Sequence, residues 1–240
     1  MATPPEKKTT RTRATPKGRK SNGLIVVGIG ASAGGLEALK TLLPGLPVNC
    51  SMAYVIIQHM DPHRRSMMTS LPGPHTKMTV EDITDGQVLQ PDTVYVATPG
   101  KNIKFSKGKF VLTQPTAGVG PRPSIDYFLI SLAEEKKDRA VGIILSGTGS
   151  DGTHGILAIK ANGGVTIAQK TDTARYDGMP RSAIEIGHVD LILSPEEMGN
   201  ELQVVLKYPH LIPMQLAQEK IPDGVTRILK LLSDRSGTDL

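Results

Sequence analysis

The chain contains five short segments rich in apolar residues, most of them followed by glycine or polar residues. Within each segment the apolar positions are largely consecutive, a pattern typical of strands buried on both faces of a parallel sheet. We therefore predict strands at residues 24–27, 53–57, 140–145, 165–168 and 189–193. Between them lie segments with helical spacing of apolar residues, at 36–43, 125–135 and 151–162.

One stretch, residues 80–112, breaks this alternation because it is rich in turns and short β segments. Within it, residues 104–112 (KFSKGKFVL) predict a β-hairpin with Gly108 in the turn. Alternating strands and helices favour a sheet covered on both sides. The expected fold class is α/β: one domain at residues 24–205, with a doubly wound, mostly parallel sheet, helices on both faces and a β-hairpin insertion.

The two ends of the chain differ in composition from this domain. Residues 1–23 carry seven basic side chains and one acidic one, so they hold a charge of +6 while the rest of the chain holds −1. We expect a disordered basic tail there, because the segment has too few apolar residues to form a core. Residues 206–240 are expected to form a linker and the start of a following domain, with an amphipathic helix at 225–232.

Composition also disfavours several classes of protein. The body of the chain is nearly neutral, only 3% of all residues are aromatic and none is tryptophan, so specific nucleic-acid binding is not expected. No apolar run is long enough for a membrane-spanning helix. The single cysteine, Cys50, cannot form an intrachain disulfide and fits a reducing compartment, so a cytoplasmic location is expected.

Chemically reactive side chains follow three of the predicted strands. The three segments are GASAGG (30–35), QHM (58–60) and SGTGSDG (146–152). In parallel sheets, active sites collect at the carboxyl ends of the strands. These segments are therefore the candidate functional site.

The first segment places Ser32 in a G-x-S-x-G pattern between a strand and a helix. Glycines permit a sharp turn that can expose a serine hydroxyl to a substrate. Two other interpretations remain open from this segment alone. Ser32 could cap the following helix in a structural turn, or the glycines at 28, 30 and 34 could form a loosened dinucleotide-binding loop.

The second segment places His59 at a strand end, where an imidazole suits general-base catalysis near neutral pH. A lone histidine is more often a surface or core residue. His63, four residues on, raises a metal-site interpretation. Pro62 disfavours a helix there and the glutamate of H-E-x-x-H is missing, so no metal is expected.

The third segment places Asp151 between a glycine-rich turn and a helix. An aspartate there is commonly a helix N-cap, but a triad acid needs a similar position. The backbone N–H groups of the turn suit an oxyanion and would also suit a phosphate. A nucleophile, a base and an acid on three strand ends together favour a Ser-His-Asp triad, in a chain order that differs from α/β-hydrolases.

These motifs resemble a known family, the catalytic domain of the bacterial chemotaxis protein-glutamate methylesterases, and in particular versions fused to a glutamate methyltransferase domain. The resemblance covers nearly all of residues 24–203. The matching stretches are VGIGASAGGLEAL (27–39), VIIQHMDP (55–62), RPSIDYF (122–128), GIILSGTGSDGTHGILAIKANGG (142–164) and AQKTDTARYDGMPRSAIEIGHVD (168–190).

The resemblance implies specific roles for these residues. Ser32 would be the nucleophile, His59 the base and Asp151 the orienting acid. The backbone N–H of Thr148 would bind the oxyanion, with Gly147 and Ala33 as neighbouring oxyanion or binding residues. The substrate would be a γ-glutamyl methyl ester on a chemoreceptor-like helical protein, with methanol released and some glutamines deamidated. No cofactor is implied.

The resemblance also implies a methyltransferase as a fused or interacting partner, and we expect that domain to follow residue 240. Three departures stand out. The chain begins with the basic tail instead of a phosphorylatable receiver domain, and Thr148 replaces a methionine common in relatives. Prolines in residues 71–75 (LPGPH) interrupt a helix expected there. The alternative function is a catalytically weak docking or regulatory module that retains the fold.

Overall fold

The computed structural model describes residues 23–59, 75–114 and 124–207. The basic tail up to residue 22, the prolines at 72 and 74, His63, and the predicted helix at 225–232 lie outside these residues. Predictions for those segments stay predictions.

The central element is a seven-stranded sheet whose strands all run parallel. Its strand order is β3-β4-β2-β1-β7-β8-β9, and β5 pairs with β6 in a separate antiparallel hairpin. The strands are β1 (Ile25–Ala31), β2 (Met52–Gln58), β3 (Thr79–Asp82), β4 (Thr93–Val96), β5 (Asn102–Ser106), β6 (Lys109–Thr113), β7 (Ala140–Ile144), β8 (Val165–Gln169) and β9 (Leu191–Leu193).

Helices cover both faces of this sheet, as the doubly wound prediction requires. They are α1 (Gly35–Leu42), α2 (Ile125–Lys136), α3 (Thr153–Ala161), α4 (Gly178–Glu185) and α5 (Pro195–Lys207). Helices α1 and α5 pack on one face, while α2, α3, α4 and the hairpin pack on the other. Because α5 continues to Lys207, it extends two residues into the segment predicted to be a linker.

The continuous apolar runs become the strands at the centre of the sheet. In β1, Val26, Val27 and Ile29 are fully buried because helices cover the sheet above and below. Burial of each such side chain contributes about 1.5–3 kcal/mol. The chain winds outward from β1 in both directions, through β2 on one side and β7 on the other. The carboxyl ends of β2, β1 and β7 are therefore adjacent at the switch point where α/β proteins bind ligands.

Two glycines of β1 allow α2 to lie close against the sheet. A Cβ atom on Gly28 would lie 2.6 Å from the Leu129 side chain, and one on Gly30 would lie 2.5 Å from Ile125. Both glycines lie inside the strand, beneath α2. They serve helix–strand packing, which argues against the dinucleotide-loop interpretation of this segment.

Candidate active site

The turn after β1 presents Ser32. Its backbone N–H donates to the carbonyl of Ser146 at 3.0 Å, and its own carbonyl accepts from Gly35 at 2.9 Å. The N-cap of α1 is Gly34, at a φ of 71°, and no side chain caps that helix. Ser32 is therefore not a helix cap, and its hydroxyl is directed to another partner.

That partner is His59, the residue directly after β2. Its backbone N–H donates to the carbonyl of Ala31 at 3.0 Å, which ties the two strand ends together. Its Nδ1 lies 3.2 Å from the Oγ of Ser32, and its Nε2 lies 2.7 Å from the Oδ2 of Asp151. The imidazole is 11% exposed and the Asp151 side chain 10% exposed. The three predicted residues thus form one hydrogen-bonded line.

Asp151 is not the N-cap of α3, because that position belongs to Gly152. Its carboxylate instead reaches the start of α2. Five donors in the described residues converge on its two oxygens: the Nε2 of His59 at 2.7 Å, the N–H groups of Ile125 at 2.9 Å, Asp126 at 2.9 Å and Gly152 at 3.0 Å, and the hydroxyl of Ser124 at 3.4 Å.

These donors decide the ionisation of the acid. Burial by itself raises the pKa of Asp151, but the hydrogen bonds from His59 and from the N–H groups of Asp126 and Ile125 outweigh it, so the pKa is lowered. The positive end of the α2 dipole favours the same charge state. Asp151 is therefore a carboxylate that can accept a hydrogen bond from the imidazole and stabilise its protonated form.

The imidazole is turned relative to the best-known Ser-His-Asp triads, in which Nε2 faces serine and Nδ1 faces aspartate. Here Nδ1 faces Ser32 and Nε2 faces Asp151. With the proton on Nε2 directed to the carboxylate, Nδ1 carries the free lone pair. The arrangement therefore retains the roles of a triad while exchanging the two ring nitrogens.

The predicted oxyanion residues differ in what their backbone offers. The N–H of Gly147, which was predicted as an oxyanion or binding residue, donates to the carbonyl of Tyr176 at 2.9 Å. Gly147 also permits close approach to the nucleophile turn, because a Cβ there would lie 2.8 Å from the Cβ of Ser32. Within the described parts of the chain, the N–H groups of Ala33 and Thr148 have no acceptor, which keeps both available as oxyanion donors.

Comparison with known proteins shows the family of this chain. A family model for the CheB methylesterase domain matches residues 27–202. The chain belongs to the CheB methylesterase family. The crystal structure of the Thermotoga maritima CheB methylesterase catalytic domain is similar to this fold, with a TM-score of 0.68 and 34% sequence identity. The match covers 75% of this chain and 97% of that one.

Curated relatives carry matching names. A protein-glutamate methylesterase/protein-glutamine glutaminase of Thermotoga maritima is 35% identical over 186 residues, which are 75% of this chain and 54% of the relative. A putative protein-glutamate methylesterase/protein-glutamine glutaminase of Leptospira interrogans is 35% identical over 172 residues, 71% of this chain and 89% of the relative. The chain thus spans about half the length of the Thermotoga relative.

Within this CheB-family domain, Ser146 is a site residue that the sequence analysis did not single out. Its buried hydroxyl lies 2.9 Å from the carbonyl of Ala33 and accepts the N–H of Tyr176 at 3.0 Å. Its own N–H donates to the side chain of Gln169 at 2.8 Å. Ser146 therefore joins the nucleophile turn to the loop before α4. These contacts span 23 or more residues, so local sequence holds no signal for them.

In residues 23–59, 75–114 and 124–207, no group of three or more His, Cys, Asp or Glu side chains could hold a metal ion. No helix in these same ranges is both long and apolar enough to cross a membrane.

Substitution of Thr148 tests directly whether its backbone N–H binds the oxyanion. Its side chain is exposed, so Thr148→Met should leave kcat and KM close to those of the unmodified protein. Thr148→Pro removes the N–H donor and should lower kcat by roughly 10²–10³-fold, with a smaller change in KM. Steady-state kinetics on a methyl ester checks both variants. Equal and mild effects would show that the oxyanion is bound elsewhere.

Proposed function

We propose that this chain is a protein-glutamate methylesterase, a serine hydrolase that removes methyl groups from γ-glutamyl methyl esters and releases methanol. The observation that carries the proposal is the hydrogen-bonded line Ser32–His59–Asp151 across the carboxyl ends of three adjacent strands. Membership of the CheB methylesterase family supports the same reaction.

The first half of the reaction would form an acyl-enzyme. Nδ1 of His59 takes the proton of the Ser32 hydroxyl while Oγ attacks the ester carbonyl carbon. The resulting oxyanion is bound by the N–H groups of Thr148 and Ala33. The tetrahedral intermediate then collapses, the carbon–methoxy bond breaks, and the proton on Nδ1 goes to the leaving oxygen to give methanol.

The second half would return the free enzyme. Water attacks the acyl carbon while Nδ1 removes one of its protons, and collapse releases the glutamate side chain and returns that proton to Ser32. Throughout, Asp151 stays ionised and holds the Nε2 proton. A glutamine side chain would follow the same path with ammonia as the leaving group. This second activity matches the glutaminase part of the relatives' names.

Two exposed aromatic side chains suit contact with a protein substrate. Of the aromatic residues that the structure describes, Tyr127 and Tyr176 are exposed, and the rest are buried. Tyr127 lies in the first turn of α2, next to the donors that hold Asp151, and Tyr176 is held by Ser146 beside the nucleophile turn. Exposed aromatic side chains are enriched at protein interfaces.

We infer that this substrate is a methylated chemoreceptor-like helical protein. The implied partner is a glutamate methyltransferase, fused or separate, because such an enzyme must supply the ester. We place the reaction in the cytoplasm, which suits a chain with one cysteine.

A fluorophosphonate probe tests the proposed function directly. It should label the protein stoichiometrically, and mass spectrometry of the digested product should map the label to Ser32. The exposed Ser150, in the glycine-rich turn, is the matched control, and Ser150→Ala should be labelled as the unmodified protein is. A methylated receptor fragment should release methanol in the same preparation. Absence of both label and methanol would favour the docking-module alternative.

A further inference from the structure

The helices α2 and α3 cap one another through two aspartates. Asp151 lies just before α3 and accepts the N–H groups of Ile125 and Asp126, at the start of α2. In return, the carboxylate of Asp126 accepts the N–H of Gly155, the third residue of α3, at 2.7 Å. The first N–H groups of a helix have no acceptor within that helix. Here Asp151 accepts from such groups of α2, and Asp126 accepts from one of α3.

Asp126 takes part in both halves of this exchange. Its backbone N–H donates to Oδ1 of Asp151 at 2.9 Å, while its side chain is bound to α3. The position of the N–H that holds the triad acid therefore depends on the bond between the Asp126 side chain and Gly155. The second carboxylate oxygen of Asp126 lies 3.2 Å from Nδ1 of His154. That histidine side chain is 78% exposed, so this pair contributes little.

The electrostatic surroundings of Asp126 do not favour its negative charge. Burial raises the pKa of Asp126, the N–H of Gly155 lowers it, and the neighbouring Asp151 raises it, with a net shift upward. The surroundings thus disfavour the negative charge. A neutral acceptor of the same shape would keep the bond to Gly155 in place, without the added strength that an ionised acceptor gives.

We propose that Asp126 is a positioning residue: its side-chain bond to Gly155 fixes the N-terminus of α2, and so fixes Asp151 against His59. The catalytic part of this inference rests on the proposed function. Asp126 touches neither His59 nor Ser32 in the hydrogen bonds of the described residues, so its effect on the reaction would pass through Asp151.

Two near-isosteric variants separate geometry from charge. Asp126→Asn retains an oxygen at the same distance and loses the charge, so it should keep kcat within about threefold of the unmodified protein. Asp126→Glu retains the charge but displaces the acceptor by one methylene, and Asp126→Ala removes it. Both should lower kcat by roughly 10–100-fold, as misplaced catalytic groups do, with little change in KM. Glu134→Ala, an exposed acid on the same helix, should leave both constants unchanged.

Proton NMR of the His59 ring gives a readout that does not depend on turnover. The proton shared between Nε2 and Asp151 should give a downfield signal in the full chain, retained in Asp126→Asn and Glu134→Ala. It should move or broaden in Asp126→Glu and Asp126→Ala. An unchanged signal in Asp126→Glu with unchanged kcat would overturn the inference, as would an Asp126→Asn variant as impaired as Asp126→Glu. If the unmodified chain releases no methanol, the proposed function fails, while the signal still tests the positioning.

Discussion

Replacing Ser32 by alanine is expected to lower methanol release by on the order of 10⁶-fold, the usual cost of removing a triad nucleophile. The Oγ of Ser32 bonds with Nδ1 of His59, and without it no acyl-enzyme can form. The measurement is single-turnover release of methanol from a methylated receptor fragment. Labelling by a fluorophosphonate should be lost in the same variant.

The fold should tolerate this change. The backbone bonds that shape the turn come from the N–H and carbonyl of Ser32, which alanine retains. The thermal midpoint of Ser32→Ala should therefore stay close to that of the unmodified protein, and Ser150→Ala should match the unmodified protein in both stability and activity. Turnover within tenfold of the unmodified rate in a folded Ser32→Ala protein would refute the mechanism.

The centre of the fold was predictable because burial on both faces leaves a direct trace in sequence. Strands β2 and β7 match the predicted apolar runs to within one residue at each end, and the hairpin has Gly108 in its turn, as predicted, at a φ of 75°. Strand β1 was predicted at residues 24–27 but continues to Ala31, because its two glycines lie inside the strand. The edge of the sheet was less predictable. Strand β3 is largely exposed and four residues long, so no continuous apolar run marks it.

Two helices, α4 and α5, were not predicted, and in each case there is a physical reason why the local sequence did not indicate a helix. Helix α4 carries Gly178 and Pro180 in its first turn, where proline costs little because those N–H groups lack intrahelical partners. Helix α5 is held by tertiary packing, through the buried Met198 and Leu202 on the α1 face of the sheet. Packing between distant segments is not visible in local propensity.

The site shows the same division. The strand-end rule brought Ser32, His59 and Asp151 to the same edge of the sheet, and the structure joins them. The hydrogen bond from the Gly147 N–H to the carbonyl of Tyr176 was not predictable. Nor were the hydrogen bonds from the first N–H groups of α2 to Asp151. These contacts link residues about 25 to 30 positions apart through loops whose paths depend on the whole fold.

The second large effect concerns the two residues behind the nucleophile. Asp151→Asn should lower kcat by roughly 10³–10⁴-fold, or about 4–5 kcal/mol of transition-state stabilisation. Asparagine presents an amide NH₂ where Asp151 offers only acceptors, so at least one of the converging donors loses its partner. Asp138→Asn, a change of an exposed acid elsewhere, is the matched control and should be neutral.

His59→Ala should be at least as damaging as Asp151→Asn, because the base itself is lost. The double variant should be no slower than His59→Ala alone. Asp151 acts on the reaction through the bond to Nε2, and without an imidazole there is nothing for it to orient. The rate loss of the double variant should therefore fall short of the product of the two single losses, by a factor of about the whole Asp151→Asn loss. A double variant whose losses do multiply would place Asp151 outside the triad. If Asp151→Asn lowers only the melting temperature and not kcat, the role of Asp151 is structural, in holding α2 against α3.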